Sequence, residues 1–169
     1  MNNIVKLIML GLFLLLVLIS DIKTRKIKNI IVFPFMAIGI LISLYENGID
    51  GFLGSFLGII LPILVMFPLF ILRMIGAGDV KCFCSIGAIM SAEFVISSMV
   101  YSFITGGVLA LIIMAVNKNI VQRFKHFIDY LKSCFLTFSL FQYDNLNTSD
   151  GAFRFSFAIA LGVSLQLLK

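Results

Sequence analysis

Charged residues are scarce in this chain of 169 residues, where Asp, Glu, Lys and Arg together make up only 12%. Soluble domains carry about 25% charged residues and about 45–50% apolar residues. Here 61% of the residues are hydrophobic and the mean hydropathy is +1.13. This composition excludes a soluble globular domain, a disordered chain and a fibrous rod.

Cysteine and histidine are also scarce. The three cysteines, Cys82, Cys84 and Cys134, have no Cys-x-x-Cys spacing and are odd in number, so they predict neither a disulfide framework nor a zinc site. The only histidine, His126, has no acid or serine at a useful spacing and is interpreted as a solvated surface residue. We therefore expect no metal and no cofactor.

Long apolar runs recur along the chain and predict a polytopic membrane protein with a single domain, 1–169. The expected fold is all-α, with about six membrane-spanning helices. The predicted spans are about 4–20, 30–45, 51–74, 79–92, 94–116 and 151–168. Between the last two, apolar residues at helical spacing predict an amphipathic helix at about 118–141 in the membrane interface. The first run has no Ala-x-Ala-like site after it, which favours a span over a cleaved signal peptide.

The basic residues predict the orientation. The net charge of +5 comes from residues in short loops, so it indicates membrane orientation and not nucleic-acid binding. If the loop after the first span is cytoplasmic, eleven of the thirteen Lys and Arg residues lie on the cytoplasmic side. They are Lys23, Arg25, Lys26, Lys28, Arg73, Lys81, Lys118, Arg123, Lys125, Lys132 and Arg154.

Two acids, Asp21 and Asp79, lie at the predicted cytoplasmic ends of spans, at equal depth in the membrane. Charged residues in or beside spans are costly and often mark function. Two carboxylates brought together would share a proton, so that one acts as a base on water and the other polarises a carbonyl. Taken alone, each aspartate has a plain structural interpretation. Asp21 would end a helix, and Asp79 would cap the next one.

The residues around the aspartates carry a family resemblance. The segment GAGDVK, from Gly76 to Lys81, resembles the GxGDxK signature of the type IV prepilin peptidases and preflagellin peptidases. Asp21 followed by five residues and then Ile27, Lys28 and Asn29 resembles their partner motif, in which proline is usual where Lys28 stands. Thr24 and the tail 153–162, FRFSFAIALG, are also similar to the family.

The resemblance implies an aspartic endopeptidase with Asp21 and Asp79 as the catalytic pair. Gly76, Gly78, Lys81, Ile27 and Asn29 are its implied motif and substrate-positioning residues, and the two glycines are expected to let the backbone bend and approach a substrate closely. The implied substrate is a prepilin or pilin-like protein in the same bilayer, cut behind its short basic leader. The implied location is the inner or plasma membrane, with the catalytic face cytoplasmic. We expect the stand-alone peptidase branch, without the N-methyltransferase domain. No partner other than substrate and lipid is implied, and the sequence leaves the oligomeric state open.

A second interpretation stays open from the residues alone. A small proton-coupled transporter or channel would use Asp21 and Asp79 as a relay. Such relays usually place their ionisable groups nearer the membrane centre than these two aspartates are predicted to lie.

Overall fold

The computed structural model describes residues 2–72, 74–116 and 155–168, and within these ranges the chain is all-helical. The helices are α1 (Asn2–Thr24), α2 (Asn29–Ile71), α3 (Ala77–Ile89), α4 (Ala92–Val116) and α5 (Phe155–Leu167). The predicted amphipathic helix at 118–141, with His126 and Cys134, lies outside the described residues, as does the start of the last predicted span.

Three stretches of the described helices are long and apolar enough to cross a membrane: Ile4–Thr24, Asn29–Ile71 and Ala92–Ile113. α5 is apolar but shorter. The predicted span at 79–92 is the 13-residue α3, which at about 1.5 Å per residue reaches only about 20 Å of a hydrocarbon core of about 30 Å. The chain is thus a membrane protein whose described residues form helices, but the predicted count of about six spans is not confirmed.

α2 folds back on itself at Gly48. This residue has φ 59° and ψ −136°, and it is the only residue inside α2 with non-helical backbone angles. Gly39 and Gly58, on opposite sides of the break, both contact the 87–89 segment of α3, which a straight helix would not allow. α2 is therefore a hairpin of two arms, 29–47 and 49–71. The predicted spans 30–45 and 51–74 left a break at this place, and the reversal is at Gly48, while Pro62 and Pro68 keep helical angles.

α3 forms the centre of the bundle, because every residue from Cys82 to Ile89 is buried. Ser85 Oγ donates to the carbonyl of Val32 on the first arm at 3.1 Å, and Ser55 Oγ on the second arm donates to the carbonyl of Ala88 at 3.0 Å. Small residues allow this close approach, because a Cβ at Gly58 would collide with the backbone of Gly87. α3 therefore lies between the two arms and begins at the end of the bundle where the first arm begins.

α4 and α5 form an antiparallel pair. Gly162 lies against the backbone of Ser102, Thr105 Oγ1 donates to the carbonyl of Ala158 at 3.1 Å, and Gly106 contacts the ring of Phe155. Position numbers rise along α5 as they fall along α4, so the first turn of α5 is beside the middle of α4, at Phe103 and Gly106. This pairing brings the start of α5 to the end of α1.

The opposite end of the bundle holds an ion pair. Lys6 Nζ of α1 lies 2.7 Å from Glu46 Oε2 near the end of the first arm, and the two side chains are only 11% and 10% exposed. The pair fixes α1 against the first arm far from Asp21. The two aspartates of interest therefore occupy one end of the bundle and this ion pair the other.

Candidate active site

The end of α1 carries the first aspartate and shapes the loop that follows. α1 continues to Thr24, so Asp21 lies within its last turn and not beyond the helix, as the predicted span ending at residue 20 implied. Ser20 Oγ and Thr24 Oγ1 each donate to the carbonyl of Lys26 at 3.0 Å. Arg25 has φ 52°, in the left-handed region that turns the chain away from a helix. These contacts reverse the chain within four residues and direct it into α2.

Lys28 occupies the position where the resemblance leads us to expect proline. Its φ of −75° is a value that a proline ring would impose, and it precedes the first residue of α2 as the N-cap. Its carbonyl accepts hydrogen bonds from the amides of Ile31 at 3.1 Å and Val32 at 3.4 Å. The turn thus has a proline-compatible conformation without the proline.

The GAGD element begins α3 and carries the second aspartate. Gly76 is the N-cap, with φ −76° and ψ 146°, and Asp79 lies in the first turn of the helix. Neither Gly76 nor Gly78 has a positive φ, so neither position requires glycine for its backbone angles. The absence of a side chain at both positions leaves room for neighbouring atoms. A Cβ at Gly76 would lie 3.2 Å from Asp79 Oδ2, and one at Gly78 would lie 3.2 Å from the Cβ of Ile27.

The two sequence motifs meet at three points. The charge of Asp21 acts on Asp79, Gly78 lies against Ile27, and Lys81 Nζ donates to Asn29 Oδ1 at 3.1 Å. Lys81 also lies 6.0 Å from the centre of the Phe33 ring. Every residue singled out in one motif except Gly76 thus has a partner in the other, although 52 positions separate Lys81 from Asn29.

Asp79 is in a setting that favours its protonated form. It lies in the first turn of α3, outside the three candidate membrane-spanning stretches. Burial raises its pKa from 3.8 to about 6; a backbone hydrogen bond at Gly76 opposes this rise, and the charge of Asp21 adds to it. At this end of the bundle, the carboxyl group of Asp79 therefore takes up a proton more readily than an ordinary aspartate does.

Both motifs of this arrangement lie within a segment that matches a known protein family. The family model described as the type IV leader peptidase family matches residues 8–111 of the chain. This is more than half of the 169 residues. The chain belongs to the type IV leader peptidase family. No curated protein and no solved structure matches it.

Membership in the type IV leader peptidase family assigns a peptidase activity of the leader-peptidase kind to this membrane protein. The matched segment contains both motifs, from Asp21 to Asn29 and from Gly76 to Lys81. The family match gives no support to the transporter interpretation. The matched segment ends before α5, so the family match says nothing of that helix.

α5 nevertheless contributes to the candidate site around Asp21. Ser156 Oγ donates to Asp21 Oδ2 at 2.5 Å, across 135 positions of sequence. The sequence analysis assigned Ser156 no role. The sequence feature that could have indicated a role for Ser156 is its position in the tail segment 153–162, which is similar to the family.

Cys82 and Cys84 are buried in α3, and Cys84 Sγ lies 3.4 Å from the carbonyl oxygen of Ile59. Within residues 2–72, 74–116 and 155–168, no three His, Cys, Asp or Glu side chains gather as metal ligands would.

Proposed function

We propose that the protein is a membrane-embedded aspartic endopeptidase that removes the short basic leader from type IV prepilin or pilin-like precursors at the cytoplasmic membrane face. One observation carries the proposal: two aspartates from separate motifs interact at one end of a helical bundle, in a chain of the type IV leader peptidase family. The contact of Gly78 with Ile27 and the hydrogen bond from Lys81 to Asn29 support it, because they hold together the two segments that carry the aspartates.

The aspartate pair supplies both halves of peptide hydrolysis. One carboxylate takes a proton from water while the water oxygen forms a bond to the carbonyl carbon. The protonated partner, in a pair like Asp21 and Asp79, gives its proton to the carbonyl oxygen. The tetrahedral intermediate then collapses: the C–N bond breaks and the amine nitrogen takes up the proton removed from water. The former carbonyl oxygen returns its proton to the partner aspartate as the carboxylic acid product forms. The sum is addition of one water across the peptide bond, with both aspartates returned to their starting states.

The other motif residues position this pair. Gly78 lets Ile27 approach α3, and the hydrogen bond from Lys81 to Asn29 ties the start of α2 to α3. Gly76 leaves room beside the Asp79 carboxylate. We infer that these five residues hold the site open to an extended substrate segment while keeping the two carboxylates close.

Charge distribution supports the cytoplasmic side. Lys23, Arg25, Lys26 and Lys28 follow Asp21 at the same end of the bundle and are exposed. Lys6 lies at the other end and is neutralised by Glu46. Basic loops remain on the cytoplasmic side of an inner membrane, which is also where the leader of a prepilin begins its apolar helix.

The test is cleavage by purified protein in lipid nanodiscs, using a prepilin with a basic leader and measuring product mass. We expect Asp21→Asn and Asp79→Asn each to abolish leader removal. The matched control is Asp50→Asn, which changes an exposed carboxylate beyond the α2 reversal and should leave the rate unchanged. Cleavage at the wild-type rate by either site variant would contradict the aspartic mechanism. Absence of cleavage by the wild type on all such substrates would contradict the substrate class.

A further inference from the structure

The carboxylate of Asp21 accepts a hydrogen bond from a serine that lies near the other end of the chain. Ser156 Oγ donates a hydrogen bond to Asp21 Oδ2 at 2.5 Å, and Ser156 is only 3% exposed. A hydroxyl donating to a carboxylate at about 2.5–2.7 Å is a charge-assisted hydrogen bond, roughly twice as strong as a neutral one. Water has little access to compete for it.

Neighbours on α4 hold Ser156 in place. The rings of Phe155 and Phe103 have centroids 5.7 Å apart, and Thr105 Oγ1 donates to the carbonyl of Ala158. Further along, Gly162 lies directly against Ser102. The first turn of α5 is therefore fixed by contacts that do not involve Asp21, so the hydroxyl is presented to the carboxylate by a preformed helix pair.

We propose that Ser156 is a positioning residue of the peptidase site, whose hydroxyl holds Asp21 as the ionised member of the aspartate pair and so makes Asp21 the base that activates water. The inference rests on the proposed function and deepens it by dividing the two roles. A hydroxyl that donates to a carboxylate stabilises its charged form and orients the remaining lone pairs.

The partner aspartate fits the complementary role. Asp79 is desolvated in the first turn of α3, which favours its protonated form and leaves it to donate to the substrate carbonyl.

Among the residues that the structure describes, no other charged side chain takes the place of Ser156 as the hydrogen-bond partner of Asp21. Asp79 faces it from α3, Lys81 is bonded to Asn29, Lys28 at the start of α2 is exposed, and α5 has no charged residue over 155–168. On its own helix and loop, Lys23, Arg25 and Lys26 are exposed.

The kinetic test compares Ser156→Ala with Ser156→Thr, which keeps a hydroxyl. We expect Ser156→Ala to lower kcat at neutral pH by about tenfold or more, with KM within about twofold, because Asp21 loses the donor that orients its carboxylate toward water. The acidic limb of the kcat–pH profile should move upward by about one pH unit, and Ser156→Thr should restore part of both. The matched control is Ser164→Ala, on the same helix, whose hydroxyl donates only to the carbonyl of Ala160. It should change neither.

A serine that merely ties α5 to α1 would give a different result. Its removal would lower the thermal midpoint of unfolding and leave the pH profile in place. That outcome, or wild-type kcat and pH profile in Ser156→Ala, would overturn the proposal. Because wild type and Asp21→Asn are assayed alongside, such a result leaves the peptidase function standing, whereas inactivity of the wild type would reject the function itself.

A second measurement needs no activity. In Asp79→Asn, Asp21 is the only carboxyl left in the pair, and its proton uptake is followed by infrared difference spectroscopy against the Asp21→Asn/Asp79→Asn protein. Adding Ser156→Ala, or Ser156→Thr if the alanine variant does not fold, tests the hydroxyl directly. We expect proton uptake about one pH unit higher with alanine, and close to the parent with threonine. Proton uptake at the same pH with alanine, or an alanine-like shift with threonine, would overturn the proposal.

Discussion

Gly78 of α3 and Ile27 of the loop before α2 are in such close contact that a Cβ at position 78 would lie 3.2 Å from the Cβ of Ile27. That distance is shorter than an ordinary carbon–carbon contact of about 3.5–4.0 Å. The absence of a side chain at Gly78 is therefore what lets the GAGD turn approach the loop that follows Asp21. The close spacing of the two motifs thus depends on the absence of a Cβ at Gly78.

Gly78→Ala should separate activity from stability. The added methyl pushes Ile27 away by a few tenths of an ångström and disturbs the relation of Asp21 to Asp79. Alanine in a helix is meanwhile favoured over glycine by about 1 kcal/mol, which offsets the strain in the folding free energy. We expect cleavage to fall about tenfold, as misplacement of a catalytic group does, with little change in the thermal midpoint.

The control for this variant is Gly54→Ala, at a glycine where an added methyl group would meet no atom within 4 Å. It should leave cleavage unchanged. Shortening the partner, in Gly78→Ala/Ile27→Val, should recover part of the lost rate. Full activity in the single variant would mean that the contact does not set the site geometry.

The rate of cleavage should fall at alkaline pH. Asp79 has a pKa of about 6 and must be protonated to donate to the substrate carbonyl. Above that pH, each further unit lowers the protonated fraction about tenfold. We expect a basic limb in the kcat–pH profile with an apparent pKa near 6, which is a property of the coupled pair. A rate that stays constant from pH 6 to about pH 9, with the protein still folded, would argue against Asp79 as the proton donor.

Removing the charge of Asp79 should stabilise the folded protein at high pH. The pKa is raised from 3.8 in the unfolded chain to about 6 in the fold, so the folded state binds more protons between these values and stability is lost as pH rises through them. The difference of about two units corresponds to about 3 kcal/mol above pH 6, and to none below 3.8. We expect Asp79→Asn to unfold at a higher denaturant concentration than wild type at pH 8.

The same comparison at pH 4 should show a much smaller difference. Asp50→Asn, at an exposed position, is measured alongside as the matched control. Equal stability of Asp79→Asn and wild type at both pH values would mean that the carboxyl is well solvated in the folded state.

Proline should be compatible with the fold at position 28 but should destabilise it at position 25. Lys28 has φ −75°, so Lys28→Pro restricts the unfolded chain without straining the fold, and we expect about 0.4–1 kcal/mol of added stability with cleavage retained. Arg25 is the matched control in the same loop. Its φ is 52° and its amide donates to the carbonyl of Asp21 at 2.9 Å, so Arg25→Pro should destabilise the protein strongly.

Thermal unfolding in one detergent compares the two variants directly. A loss of stability in Lys28→Pro similar to that in Arg25→Pro would show that the loop does not hold the proline-compatible conformation.

The orientation is open to a labelling test. In a Cys134→Ser background, single cysteines replace Asn47, at the α2 reversal, and Lys26, in the loop after Asp21; both positions are exposed. Cys82 and Cys84 are buried and remain in place. We expect a membrane-impermeant thiol reagent to label Asn47→Cys in intact cells, and Lys26→Cys only after the membrane is opened. The opposite pattern would place the aspartates outside the cytoplasm.

Some helix positions were predictable because their signals are local. Hydropathy over about 20 residues marks a spanning helix, and Gly48 within a short polar stretch marks a break, so the turn between residues 46 and 50 was expected. The end of α1 was not, because Thr24 continues the helix by donating back to the carbonyl of Ser20 and the polar composition there resembles a loop. The short length of α3 follows from its packing between two arms, where lipid thickness does not set helix length.

The sequence by itself determined that this is a membrane protein and which two motifs carry its aspartates, because composition, hydropathy and motif spacing are properties of neighbouring residues. Only the tertiary structure decided how the motifs meet and that Asp79 lies in a half-buried position. It also decided that Lys6 pairs with Glu46, and that Ser156, 135 positions from Asp21, donates to its carboxylate. Such contacts join residues on different helices, and the packing of helices depends on the whole set of small and large side chains along them. No local pattern records which faces will meet.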